Sequence, residues 1–184
     1  MTDPLQARVS RVKALFMDVD GILTDGSIYV GPGELELKRF TVEDGVGRAL
    51  ARQADLPLAL ISGRSSEATT ARARQLKIEE VYQGFMNKLE PFEILLDKFG
   101  IGDHEVAYIG DGFIDLPVME RVGVPVSVPT AHPLVKSVAV YITERMGGQG
   151  VLREVVEWIL TYQGRFNEVV ANLRAELHEV SKNE

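Results

Sequence analysis

The chain contains no cysteine, so disulfide scaffolds, thiolate metal sites and cysteine nucleophiles are excluded and a cytoplasmic setting is expected. Histidine is scarce: His104, His132 and His178 are too dispersed to suggest a metal cluster, and none is assigned catalytic work. Long apolar runs are also missing. Nothing approaches the roughly 20 residues of a membrane span, and Met1 to Ser10 has no apolar core of signal-peptide length. Secretion and membrane insertion are therefore not expected. No Gly-x-x-x-x-Gly-Lys-Ser/Thr loop occurs, which disfavours nucleotide triphosphate hydrolysis of that kind. Positive charge is in deficit, with 20 basic against 27 acidic residues and a net charge of -7. That balance argues against a sequence-independent nucleic-acid or anionic-membrane surface. An anionic small molecule would need a local cationic pocket.

What is present is ordinary for a globular chain: 45% hydrophobic and 26% charged residues exclude disorder, and 184 residues suffice for one well-cored domain. Short β-rich apolar runs, Lys13 to Met17, Leu58 to Ile61, Val106 to Ile109 and Val124 to Val128, each precede a polar or glycine-containing turn. Helical patterns alternate with them around Val46 to Gln53, Ser66 to Leu76, Leu89 to Phe99, Leu116 to Val122 and Val151 to Leu160. Such alternation predicts an α/β fold, a doubly wound, mostly parallel sheet with helices on both faces. After the first strand, Ser27 to Val30, Gly31-Pro32-Gly33 and Leu35 to Leu37 predict an inserted β-hairpin within residues 25–40. From Phe166 onward, Phe166, Val169, Val170, Leu173, Leu177 and Val180 form a helical stripe. Residues 1–164 are thus expected to form a single domain. Residues 165–184 are read as an amphipathic helical tail, lying on its own chain or on a neighbouring subunit.

The most informative segment is Leu15-Phe16-Met17-Asp18-Val19-Asp20-Gly21, an apolar strand ending in two carboxylates one residue apart. Residues i and i+2 of a strand share a side, so Asp18 and Asp20 can serve one site. Two anions that close call for a cation, and Mg²⁺ is the natural one. Ligands of an open parallel sheet bind at the carboxyl ends of its strands. That edge also receives Ser62-Gly63-Arg64, Gly110-Asp111-Gly112 with Asp115, and Lys88 at the opening of a helix. These are the parts phosphoryl transfer needs. Asp18 suits the nucleophile and Asp20 the general acid and base. Asp111 would complete the hard oxygen site, Ser62 and the Gly63 amide can donate to phosphate oxygens, and Lys88 can balance their charge. Asp115 could orient Lys88 or a metal-bound water.

The ordered set resembles the haloacid dehalogenase superfamily of phosphohydrolases over roughly residues 13–163. Within it the chain looks like the capless phosphatases that act on 3-deoxy-D-manno-octulosonate 8-phosphate, related to nonulosonate 9-phosphate phosphatases. The carrying segments include Thr24-Asp25-Gly26, Val42-Glu43-Asp44-Gly45, Tyr82-Gln83-Gly84 with Asn87-Lys88, Pro117-Val118-Met119, Ala131-His132-Pro133 and Gly147-Gly148-Gln149-Gly150. The resemblance implies an Mg²⁺-dependent phosphatase working through an aspartyl-phosphate, with Asp18, the Asp20 carbonyl and Asp111 on the metal. It implies substrate contacts from Asp20, Thr41, Val42, Glu43, Asp44, Gly45, Arg48, Gly63, Arg64, Arg72 and Lys88, and a homotetramer assembled through hairpins. Arg64 and Arg72 are expected on nearby faces of one helix. The chain departs from the family at Gly112, where a second aspartate is frequent, and at Phe85-Met86, where polar residues are usual. A nonulosonate 9-phosphate or another sugar phosphate is the alternative substrate. A phospho-accepting receiver-like domain is the non-enzyme alternative, disfavoured because receivers place the acceptor aspartate after a central strand.

Overall fold

A computed structural model describes residues 4–33 and 35–180. In chain order its elements begin with α1 (Pro4–Val9), β1 (Ala14–Met17), β2 (Tyr29–Val30), β3 (Glu36–Leu37) and α2 (Glu43–Gln53). There follow β4 (Leu58–Ser62), α3 (Glu67–Gln75), β5 (Glu80–Gln83), α4 (Leu89–Phe99) and β6 (Val106–Ile109). The chain continues through α5 (Leu116–Met119), β7 (Val124–Ser127), α6 (Pro133–Val138), β8 (Tyr141–Ile142), α7 (Val151–Tyr162) and α8 (Phe166–Val180).

Every residue of β1, β4, β6 and β7 is buried, as strands covered by helices on both faces must be. The sheet runs β5-β4-β1-β6-β7-β8 and all its pairings are parallel. From β1 the chain winds outward through β4 and β5, then crosses back to β6 on the other side. The strand order therefore reverses at β1, and the loops leaving β1 and β6 diverge there to open a crevice. β2 and β3 pair antiparallel outside this sheet, forming the expected hairpin.

Several boundaries differ from the sequence reading. α2 begins at Glu43 rather than Val46, so Glu43 and Asp44 occupy its first turn, where negative charge is favoured. α5 ends at Met119, short of Val122. α6 was not anticipated, although His132 Nδ1 accepts from the Leu134 amide at 3.2 Å and Pro133 opens the helix. α1 and the two-residue β8 were too short for periodicity to reveal. α2 and α7 meet backbone to backbone, since a Cβ on Gly47 would stand 2.6 Å from the Arg153 nitrogen.

The tail helix lies on its own chain. Val169 is buried, Phe166, Val170 and Leu173 pack against the core, and Glu176 pairs with Arg52 of α2 at 2.6 Å. Leu177 stays exposed, and residues 181–184 of the anticipated tail lie outside the described residues.

Candidate active site

β1 and β6 run in register from Ala14 opposite Val106 to Met17 opposite Ile109, and the Asp18 amide donates to the Ile109 carbonyl at 2.9 Å. Asp18 thus leaves the sheet level with Gly110-Asp111. Gly21 closes the turn with a φ of +85°, and a Cβ there would lie 1.9 Å from Asp111 Oδ2. A side chain at position 21 would therefore strain the backbone and collide with Asp111.

Beneath this turn lies a buried ionic cluster. Lys88 Nζ stands 2.9 Å from Asp18 Oδ2 and 2.7 Å from Asp115 Oδ1. The Tyr108 hydroxyl donates to the same Asp115 oxygen at 2.6 Å. Asp115 Oδ2 accepts from the amides of Asp111 and Gly112 at 3.2 and 2.9 Å. Both Asp115 oxygens are thus engaged from within the protein. Asp18, Asp111 and Asp115 offer oxygens within 4.8 Å of one another.

Burial raises the Asp18 carboxyl from its usual 3.8 to about 7, opposed by the Lys88 ammonium and reinforced by the Asp115 charge. Burial also raises Asp111 to about 6, with Asp115 adding to the rise and Lys88 opposing it. Burial and the neighbouring carboxylates push the Tyr108 phenol well up, so it acts as a neutral donor. Two desolvated carboxylates facing each other are the donor set that a hard divalent cation relieves. Asp18 and Asp111 therefore fit Mg²⁺. The Asp20 carboxylate faces the hairpin side of the mouth, where Lys38 Nζ lies 2.8 Å from Oδ1 and 2.9 Å from Oδ2.

The remaining residues singled out from the sequence divide into two groups. Ser62 ends β4, its hydroxyl donating to the Arg64 carbonyl at 3.0 Å. Gly63 follows it, and a Cβ there would meet Ile114 at 2.7 Å. Arg64 reaches the same mouth, with Nε 4.0 Å from Asp20 and Nη2 2.9 Å from Glu36. It does not share a helix with Arg72, contrary to expectation. The extended backbone of Ser66 caps α3, so the helix begins only at Glu67.

Thr41 to Gly45 connect the hairpin to α2. Arg72 Nη2 donates to the Thr41 carbonyl at 2.5 Å and the guanidinium lies 5.8 Å from the Phe40 ring centre. Val42 is exposed, the Gly45 amide bonds the Val42 carbonyl, and Glu43 pairs with Arg153 at 2.6 Å. Asp44 is buried, and its carboxyl is raised to about 7 by burial, against Arg72 and the Leu152 amide. Arg48 is not brought to the mouth. Its guanidinium donates to the Lys77 carbonyl just before β5, at 3.1 Å. The five residues from Glu43 to Arg48 carry it about 7.5 Å down α2, away from the carboxyl ends of the strands.

Sequence reasoning missed Lys38 and Tyr108. Tyr108 was hidden in an apolar strand, where its one polar atom was the only available signal. Lys38 sits two residues from Glu36 in a hairpin, a spacing that places both on one side.

The chain belongs to the haloacid dehalogenase-like hydrolases, whose family model matches residues 61–155. Among its relatives is the 3-deoxy-D-manno-octulosonate 8-phosphate phosphatase of Escherichia coli strain B, 44% identical over 164 residues, 89% of this chain and 87% of that one. The Moraxella catarrhalis phosphatase of the same description, solved with magnesium, phosphate and the KDO molecule, has a TM-score of 0.88 and 38% identity. That match covers 94% of this chain and 99% of the other. The Yersinia pestis phosphatase matches with a TM-score of 0.86 and 40% identity over 91% of this chain and 90% of its own.

Proposed function

We propose that this chain is an Mg²⁺-dependent phosphatase that hydrolyses 3-deoxy-D-manno-octulosonate 8-phosphate to the free sugar acid and phosphate. The observation that carries the reading is the desolvated Asp18 carboxylate, bracketed by Lys88 and Asp111 at the point where the strand order reverses. Its likeness to enzymes of that description names the substrate.

In this reading an Asp18 oxygen attacks phosphorus while the bond to the sugar oxygen breaks, leaving an aspartyl-phosphate. Asp20 gives its proton to the departing sugar oxygen, then takes one from the water that hydrolyses the acyl phosphate. Asp18, Asp111 and the Asp20 carbonyl would hold Mg²⁺, which supplies positive charge opposite the phosphate oxygens. Ser62, the Gly63 amide and Lys88 support the same oxygens, and Asp115 with Tyr108 holds Lys88 in place. Thr41 to Gly45, Arg64 and Arg72 line the approach from the sugar side. Arg48 would join them only after a rotamer change that releases Lys77.

Residues 1–164 act as one catalytic unit in this proposal, in the cytoplasm, within a homotetramer. The hairpin supports the assembly: Tyr29, Val30 and Leu37 are 57%, 80% and 56% exposed in the single chain, and an isolated two-stranded ribbon is marginal in water. Among the described residues no helix is long and apolar enough to cross a membrane.

A panel of phosphate monoesters tests the function directly. Phosphate release with Mg²⁺, lost on exhaustive chelation, should be fastest with the octulosonate 8-phosphate. Preference for a nonulosonate 9-phosphate would reassign the substrate. Stable phosphoaspartate without turnover would make the chain a phospho-accepting domain.

A further inference from the structure

We propose that Lys38 is a positioning residue for the reaction, fixing the Asp20 carboxylate where it must meet the leaving oxygen; this rests on the phosphatase reading above. Lys38 follows β3 of the inserted hairpin, yet its side chain is fully buried and its ammonium straddles both Asp20 oxygens, at 2.8 and 2.9 Å. It also reaches Thr69 Oγ1 at 3.4 Å and Glu36 Oε1 at 3.7 Å.

A buried ammonium is costly unless its hydrogens are matched. A lysine has three such hydrogens, and the two Asp20 oxygens and Thr69 Oγ1 account for them, with Glu36 adding its charge from 3.7 Å. None is left to recognise a ligand, which separates Lys38 from Arg64, whose side chain is 54% exposed at the same mouth. Lys38 therefore acts on the reaction through Asp20.

Asp20 needs such support. Its other side-chain contact on this turn is with the Thr24 hydroxyl at 3.5 Å, and its side chain is 21% exposed against 8% for Asp18. An acid that protonates a leaving group must be held within hydrogen-bond reach of it. When protonated, Asp20 can keep one oxygen on Lys38 while the hydroxyl faces the substrate. As the phosphorus bond to Asp18 forms and the bond to the sugar oxygen breaks, the proton passes from Asp20 to that oxygen. The hairpin is thereby tied to the chemical step through one side chain.

The test is the leaving-group dependence of kcat/KM for Lys38→Met over a series of substituted phenyl phosphates, which carry no carboxylate for a cation to read. kcat/KM reports the steps through phosphoryl transfer to Asp18, so hydrolysis of the acyl phosphate does not enter. Phenyl phosphate, whose phenoxide needs a proton, should lose at least about tenfold, and p-nitrophenyl phosphate, whose leaving group departs as a stable anion, less than about threefold. Lys38→Arg should recover most of the loss. Thr69→Val, which removes one Lys38 partner and leaves the hairpin intact, should give the same pattern at smaller size, and serves if Lys38→Met does not fold. Parallel losses along the series, or none, would overturn the role of Lys38. Failure of the wild-type chain to hydrolyse any monoester would instead overturn the phosphatase reading.

Discussion

Lys88 Nζ and Asp18 Oδ2 stand 2.9 Å apart, the lysine side chain fully buried and the aspartate 8% exposed. Such a pair is retained despite its desolvation cost, because removing one member strands the other charge in a low-dielectric setting. Lys88→Met should therefore lower unfolding stability by about 3–5 kcal/mol, read as a shift of the urea midpoint. Adding Asp115→Asn, which removes the second partner's charge, should restore part of it. Additive losses would contradict the coupling.

Asp18→Asn keeps shape but cannot form the acyl phosphate. Turnover should fall below about one hundredth of wild type while the far-ultraviolet circular dichroism is unchanged. Activity above that level would remove Asp18 as the nucleophile.

Asp44 supplies a dependence on pH. Burial raises its carboxyl from the usual 3.8 to about 7 in the folded chain. The folded state therefore keeps a proton that the unfolded chain has already released. Its contribution to stability is full below about pH 4, declines as pH rises toward 7, and is flat above. Asp44→Asn is neutral throughout, so its stability relative to wild type should improve between about pH 4.5 and 8. Urea titrations at the two ends check this, and an offset independent of pH would refute it.

The tail helix buries Val169 and part of Phe166, Val170 and Leu173 against the chain's own core. Ending the chain after Gly164 should cost on the order of 4 kcal/mol, visible as a lower thermal midpoint. No change would mean that α8 contributes little to the folded chain.

The exposed hairpin predicts the assembly. Val30→Asp together with Leu37→Asp should convert a tetramer to smaller species by light scattering at micromolar concentration. A wild-type chain that already runs as a monomer would sink the proposal.

The strand endings were readable from the chain because their signal is local. An apolar run such as Leu15 to Met17 followed by Asp18-Val19-Asp20-Gly21 states a buried strand, a turn and a charged end within seven residues. Helices with long stripes or strong caps, such as α4 and α7, were equally plain. Very short elements, α1, α6 and β8, were not, since two to six residues span too few periods for a pattern to repeat.

By itself, then, the sequence determined which strands are buried, where the chain turns, and that Asp18, Lys88, Asp111 and Asp115 come to the sheet's carboxyl edge. Only the tertiary structure decided which partners those side chains take. Lys38 faces Asp20 across 18 residues of hairpin, Tyr108 joins Lys88 across 20 residues, and Arg48 bonds Lys77 rather than the site. Periodicity assigns a side chain to a face of its own element. The partner it meets there depends on how separate elements pack, and a buried charge settles wherever that packing brings its counterion.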